Sequence, residues 1–387
     1  MPAQPPTQQD VPTRPGAAAL RALGYFWLVV LVVLAAGAAA LQFLGPPAGS
    51  AAPTTPPAAH GDTAAGHIAV PDAVPPHSAP PPADAPAPQH TAAPPQVVSP
   101  PDRPPVPARI LAAPRAPGAP VPPPDPMLQE PSGLGDGHFL PRIAGGLAPM
   151  RAYAAGAAPM DARPRVAILL ADFAMREADS DEALRQLPAA VSFAVSPYAA
   201  RPEALVQRAR QAGHELLISL PMEPRGYPLD DPGDRAMLTG ALPDRNTLAL
   251  RWALSRLGGA VGATGALGGL RGERFAASEQ MGAVLDELGR RGLLYVDPRP
   301  GGQLPAASGA GPRRAVDLVV DEPAVRIEID ANLARLEQVA RDRGSAVGLV
   351  SAPTPVTVER LAAWSVLLEQ RGLVLVPVSA LVVPPAR

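Results

Sequence analysis

The chain has 387 residues and a formal net charge of −2, with 55 prolines, 35 glycines and no cysteine. Disulfides, thiolate metal sites and thiol nucleophiles are therefore excluded. Lysine is also absent, so all 33 basic residues are arginine, which rules out Schiff-base chemistry and a phosphate-loop lysine.

In chain order, residues 1–21 carry Arg14 and Arg21 and read as a cytoplasmic N-terminus. Residues 22–44 hold no charge and have Tyr25 and Trp27 at the leading end, as expected of one transmembrane helix. No arginine follows until Arg103, so the positive-inside rule puts the remainder outside the cytoplasm. The expected location is the bacterial inner membrane, single-pass, with a periplasmic C-terminal domain. Two alternatives are a cleaved signal ending near Ala38-Ala39-Ala40 and a buried core helix.

Residues 45–163 are rich in proline and alanine, and 37 of the 55 prolines precede Arg165. Such a stretch buries too little apolar surface to offset its ordering entropy and is expected to be a disordered, semi-rigid linker. His60, His67, His77 and His90 are scattered through it and read as solvated, not as metal ligands. Near-neutral charge without a basic block leaves no expectation of nucleic acid as a partner.

Residues 164–387 alternate short β-rich runs with helical patterns, which predicts an α/β fold. Strands are expected at 166–172, 190–195, 215–220, 260–265, 293–297, 315–320, 346–350 and 373–377. Helices are expected from Ser180 onward and at 201–212, 246–257, 278–291, 329–343 and 356–371. A closed barrel and an open doubly wound sheet both fit. Both gather chemistry at the C-terminal ends of the strands, where Asp172, Glu223, Thr264, Asp297, Arg299, Asp321 and Ser351 fall. His214 is the only histidine of this region and opens its strand, at the wrong end for a Ser–His–Asp triad.

Each candidate carries two readings. Asp172 is a relic catalytic carboxylate or ligand acceptor, or else a strand-end cap. Glu223 faces a sugar hydroxyl or structures its loop. Asp297 and Arg299 recognise a polar ligand or pair with each other. Arg274 pairs with a rim carboxylate, and Tyr227 and Tyr295 stack on a sugar or belong partly to the core. Asp172, Asp297 and Asp321 together offer an all-oxygen cation site, and Asp172, Glu223, Asp297 and Asp321 a paired-carboxylate one; neither is the favoured reading, and no cofactor is expected.

Seven strings, taken in order, resemble one family. They are VAILLADF (166–173), GHELLISLPMEP (213–224), YPLDDPG (227–233) with MLT (237–239), GAVGATGALG (259–268) with Arg274 and Phe275 after a short insertion, RRGLLYVD (290–297), DLVVD (317–321) and RGSAVGLV (343–350). They are similar to the divergent polysaccharide deacetylase family over essentially all of 165–381. The resemblance implies an irregular (β/α) barrel of about seven strands and an ancestry in carbohydrate deacetylation. Active relatives hold a divalent metal with one aspartate and two histidines, use a second aspartate as base, and protonate the leaving amine with a late histidine.

This chain departs at those positions. Ala171 precedes Asp172 where two acids are usual, Ser219 and Ala266 stand at histidine positions, Gly265 replaces an asparagine, and Ser351 replaces the late histidine. The expectation is a non-catalytic, membrane-anchored domain binding a cell-envelope glycan or envelope protein through the old cleft. A working deacetylase or hydrolase using the remaining carboxylates is one alternative, and a structural envelope protein is another.

Overall fold

The computed structural model describes residues 115–382 apart from 136 and 161. The expected membrane helix at 22–44 and most of the expected linker lie outside the described residues. Among the described residues no helix is long and apolar enough to cross a membrane.

Two short strands, β1 (Gln129–Pro131) and β2 (Phe139–Pro141), form an antiparallel pair, followed by α1 (Pro149–Ala152). A parallel sheet comes next, built from β3 (Arg165–Phe173), β4 (Ser192–Val195), β5 (Leu216–Ser219), β6 (Gly262–Thr264), β7 (Leu294–Asp297), β8 (Arg313–Ala315), β9 (Leu318–Val319), β10 (Ser345–Val350) and β11 (Val374–Leu375). Between them run α2 (Glu177–Gln186), α3 (Glu203–Gln211), α4 (Pro243–Ser255), α5 (Glu273–Ala276), α6 (Gln280–Arg290), α7 (Arg326–Arg343) and α8 (Pro355–Leu367), with α9 (Ser379–Val382) last.

The strand order is β8-β7-β6-β5-β4-β3-β10-β9, with β11 pairing the start of β3. β8 and β9 are successive parts of one stretch of chain. Its first part pairs with β7 and its second with β10, and Val316 N–H donates to Asp297 O while Asp317 N–H donates to Val347 O. The sheet therefore curls round until a single segment joins both of its ends. Counting that segment once gives seven positions around the curl, with β11 as a short addition.

Alternation along each strand separates two apolar layers. Val166, Ile168 and Leu170 of β3 pack outward with the helices. Ala167, Leu169 and Ala171 face inward with Leu217, Leu294, Val296, Val347 and Leu349. Burial on both faces explains why the strands read as unbroken apolar runs and not as alternating ones. The small inward residues of β3 fit a narrow interior.

The linker expectation needs correction from Arg115 onward. Residues 115–160 form a strap across the N-terminal ends of the strands, burying Val121, Leu128, Leu140 and Tyr153. Polar anchors secure it. Arg115 donates to Ala152 O and Ala154 O, both at 2.6 Å, and Asp125 N–H donates to Tyr153 Oη at 2.8 Å. Arg210 reaches Pro122 O and Gly259 O from α3, and burial lowers its pKa to about 10. Glu215, fully buried at the start of β5, accepts from Ser192 Oγ, Ala155 N–H, and both Ser379 N–H and Oγ. One carboxylate thus ties the strap, the sheet and the last helix together. Its four donors offset the cost of burying a charge.

Candidate functional site at the barrel mouth

The C-terminal ends of the strands form the mouth. β3 leaves the sheet abruptly, because its register with β4 shifts between Leu170 and Phe173 and both Asp172 (φ 59°) and Ala174 (φ 70°) adopt left-handed backbone. Aspartate tolerates that region better than most residues. The kink sets the Asp172 carboxylate beside Gly268. Burial raises the Asp172 pKa, against the opposing influence of Arg176 and of the Gly268 N–H.

Beside Asp172 the inherited donors are missing. Ser219 ends β5 in register with Thr264 of β6, and both are fully buried. Ser219 Oγ has no hydrogen-bond partner. Ala266 follows β6, also fully buried, with a methyl group where an imidazole would be needed. Ser351 follows β10 and donates its hydroxyl to Glu322 Oε1 at 3.3 Å. A hydrolytic metal requires several nitrogen, sulfur or carboxylate ligands and an open position. One carboxylate, one hydroxyl and one methyl do not fit such an ion. Among the described residues no three His, Cys, Asp or Glu side chains gather in a way that could hold one.

The other acids are engaged by partners of their own. Asp297, wholly buried at the end of β7, is gripped by Arg299 through Nε at 2.9 Å and Nη2 at 2.7 Å, with the Arg299 N–H adding a third bond. That pairing raises the Arg299 pKa. Asp321 follows β9 and accepts the Ser351 N–H at 2.9 Å and the Ala352 N–H at 3.4 Å, yet burial still pushes its pKa up. Glu223 accepts Thr239 N–H and Oγ1 and faces Arg274 Nη1 at 3.2 Å. Its backbone also bonds Met237, Arg274 and Phe275, so it stitches the loop after β5 to α5.

Asp172, Asp297 and Asp321 therefore do not form an oxygen cage. Tyr295 is no sugar platform either, since its ring is buried in the outer core with its hydroxyl against Gly265. Tyr227 is half-buried in the loop following Glu223. His214 lies at the far end of β5, stacked on Phe193 at 4.3 Å with Nδ1 2.8 Å from Val191 O. Burial lowers its pKa to about 4, leaving a neutral core histidine.

Sequence reasoning missed one cross-mouth contact. Arg271, from the insertion after β6, pairs with Glu322, which follows β9. Neither residue belongs to a motif, although the inserted stretch between Gly268 and Arg274 marked where the chain departs from its relatives.

Comparison with known proteins agrees with the architecture. The model of the divergent polysaccharide deacetylase family matches residues 168–382. The uncharacterized protein YibQ of Escherichia coli K12 is 27% identical over 202 residues, which are 51% of this chain and 61% of YibQ. The crystal structure of the uncharacterized protein ATU2773 from Agrobacterium tumefaciens C58 superposes with a TM-score of 0.57 at 29% identity, covering 63% of this chain and all of that one. The matched span opens within β3 and closes in α9, taking in every residue of the mouth and all of the curled sheet but the first three residues of β3, so the chain belongs to the divergent polysaccharide deacetylase family.

Proposed function

We propose that this protein is a membrane-tethered, exported member of its family that binds cell-envelope glycan through the mouth and has lost metal-dependent hydrolysis. One observation carries the reading. At the strand ends where the family resemblance puts the metal ligands and the late histidine, Asp172 is retained, while Ser219, Ala266 and Ser351 supply no imidazole. Hydrolysis by paired carboxylates needs two acids free to exchange protons with substrate and water. Glu223, Asp297 and Asp321 are each held by neighbouring donors, which supports binding over catalysis. The uncharged run at 22–44, preceded by Arg14 and Arg21, supports the tether and its direction.

The test is retention of the full chain on purified peptidoglycan sacculi, comparing wild type with Asp172→Ala. Retention that falls at least five-fold in the variant, at unchanged thermal stability, agrees with binding at the mouth. Equal retention of both proteins places the glycan contact elsewhere and removes the reading. Membrane fractionation with and without carbonate extraction tests the tether separately.

A further inference from the structure

The chain after β6, from Leu267 into the insertion, folds over the mouth as a tight turn. Leu267 N–H donates to Leu270 O at 2.9 Å, and Leu270 N–H returns the bond at 3.0 Å. Ala266 before the turn and Gly272 after it are buried, whereas none of residues 267–271 is. Gly272 sits at φ +58°, where a Cβ would lie 2.5 Å from Met222 Cβ, so that end of the turn requires glycine.

The turn is held down at two places. Gly268 lies against the Asp172 carboxylate, and Arg271 pairs with Glu322 on the far side of the mouth. The Glu322 side chain is 45% exposed, and ion pairs of that kind contribute little to stability. Residues 267–270 bury no side chain, and a segment of that kind opens far more readily than the core on either side. Two buried polar atoms of this region lack a hydrogen-bond partner, Ser219 Oγ at the end of β5 and Arg271 Nε at the end of the turn. Buried polar groups are nearly always paired, so these are open positions for oxygen or nitrogen atoms arriving from outside the chain.

We propose that the turn at 267–270 is an autoinhibitory latch that occupies Asp172 in place of ligand. A glycan enters by displacing Gly268 from Asp172 and breaking the Arg271–Glu322 pair, and its hydroxyls then bond Asp172, Ser219 and Arg271. This regulation rests on the reading of the mouth as a glycan site.

The experiment is hydrogen–deuterium exchange on the full chain in detergent micelles, with sacculus retention measured in parallel for wild type, Arg271→Ala and Glu322→Gln. The latch predicts that amides of 267–271 exchange at least ten-fold faster in both variants while β6 and α6 are unchanged. It also predicts higher retention of Glu322→Gln, which keeps the Arg271 donors. Unchanged exchange in the turn overturns the latch, as does faster exchange without a gain in retention over a wild type that binds. If exchange accelerates as predicted but no form of the protein is retained, the polar hold on the turn stands and the glycan reading fails.

Discussion

Arg299 holds the carboxylate of Asp297, two residues earlier in the chain, in a two-pronged grip with bonds of 2.9 and 2.7 Å. Asp297 has no exposed surface, so its charge depends on that grip. Removing one partner of a buried pair typically costs about 3–5 kcal/mol, because the other charge is left uncompensated. Arg299→Ala is predicted to lower the melting temperature by about 6–20 °C, at roughly 2–4 °C per kcal/mol for a domain of this size. Calorimetry checks the value. A shift under 2 °C would show that the pair does not hold the loop after β7. Arg299→Lys is expected to recover less than half of the loss, since an ammonium cannot reproduce the fork.

His214 gives a pH dependence with a defined direction. Its pKa is about 4 in the folded protein and about 6.5 when unfolded. Above pH 6.5 the ring is neutral in both states and has no effect on stability. As pH falls from 6.5 to 4 only the unfolded chain takes up the proton, so stability is lost, by roughly 3 kcal/mol in full. Asp172 and Asp321, whose pKa values are raised, act in the opposite sense at the acidic end. The comparison is therefore wild type against His214→Phe, by urea unfolding at pH 7 and pH 4.5. The stability difference between the two proteins should move toward the variant by about 2–3 kcal/mol at the lower pH. A constant difference would mean that the ring is not held neutral.

At the opposite end of the barrel, Glu215→Ala is predicted to release the strap. The substitution leaves the Ala155 N–H and the two Ser379 donors without their acceptor, at about 1–3 kcal/mol for each donor left unsatisfied in the interior. Limited proteolysis should then cut within 115–160 at least ten times faster than in wild type, before any cut in β3. Cleavage at the wild-type rate would show that the apolar contacts of Val121, Leu128 and Tyr153 hold the strap without the carboxylate.

Much of the sheet was legible in the sequence because its strands are buried on both faces and appear as uninterrupted apolar runs. All eight expected strand regions contain observed strands, and the resemblance supplied their seven-position arrangement. The expected strand at 315–320 is two short pairings, a division imposed by the partners on either side and not by local propensity. The strap was missed for a physical reason. Its proline content argues against regular structure, but a strap needs only a few buried side chains, backbone carbonyls caught by Arg115 and Arg210, and an N–H caught by Glu215. At the mouth, the Asp297–Arg299 pair is local and was available as one of two readings. The Arg271–Glu322 contact joins residues 51 positions apart across the barrel, and no spacing rule reports it.

The proposed loss of hydrolysis rests on a mouth that retains Asp172 but lacks the imidazoles that hold the metal in active relatives. Metal content of the purified full chain, measured alongside acetate release from an acetylated glycan, tests it most directly. The account predicts less than one tenth of an equivalent of zinc, iron or cobalt per chain and no release above the uncatalysed background. One equivalent of bound metal, with acetate release that a chelator abolishes and the metal restores, would contradict it.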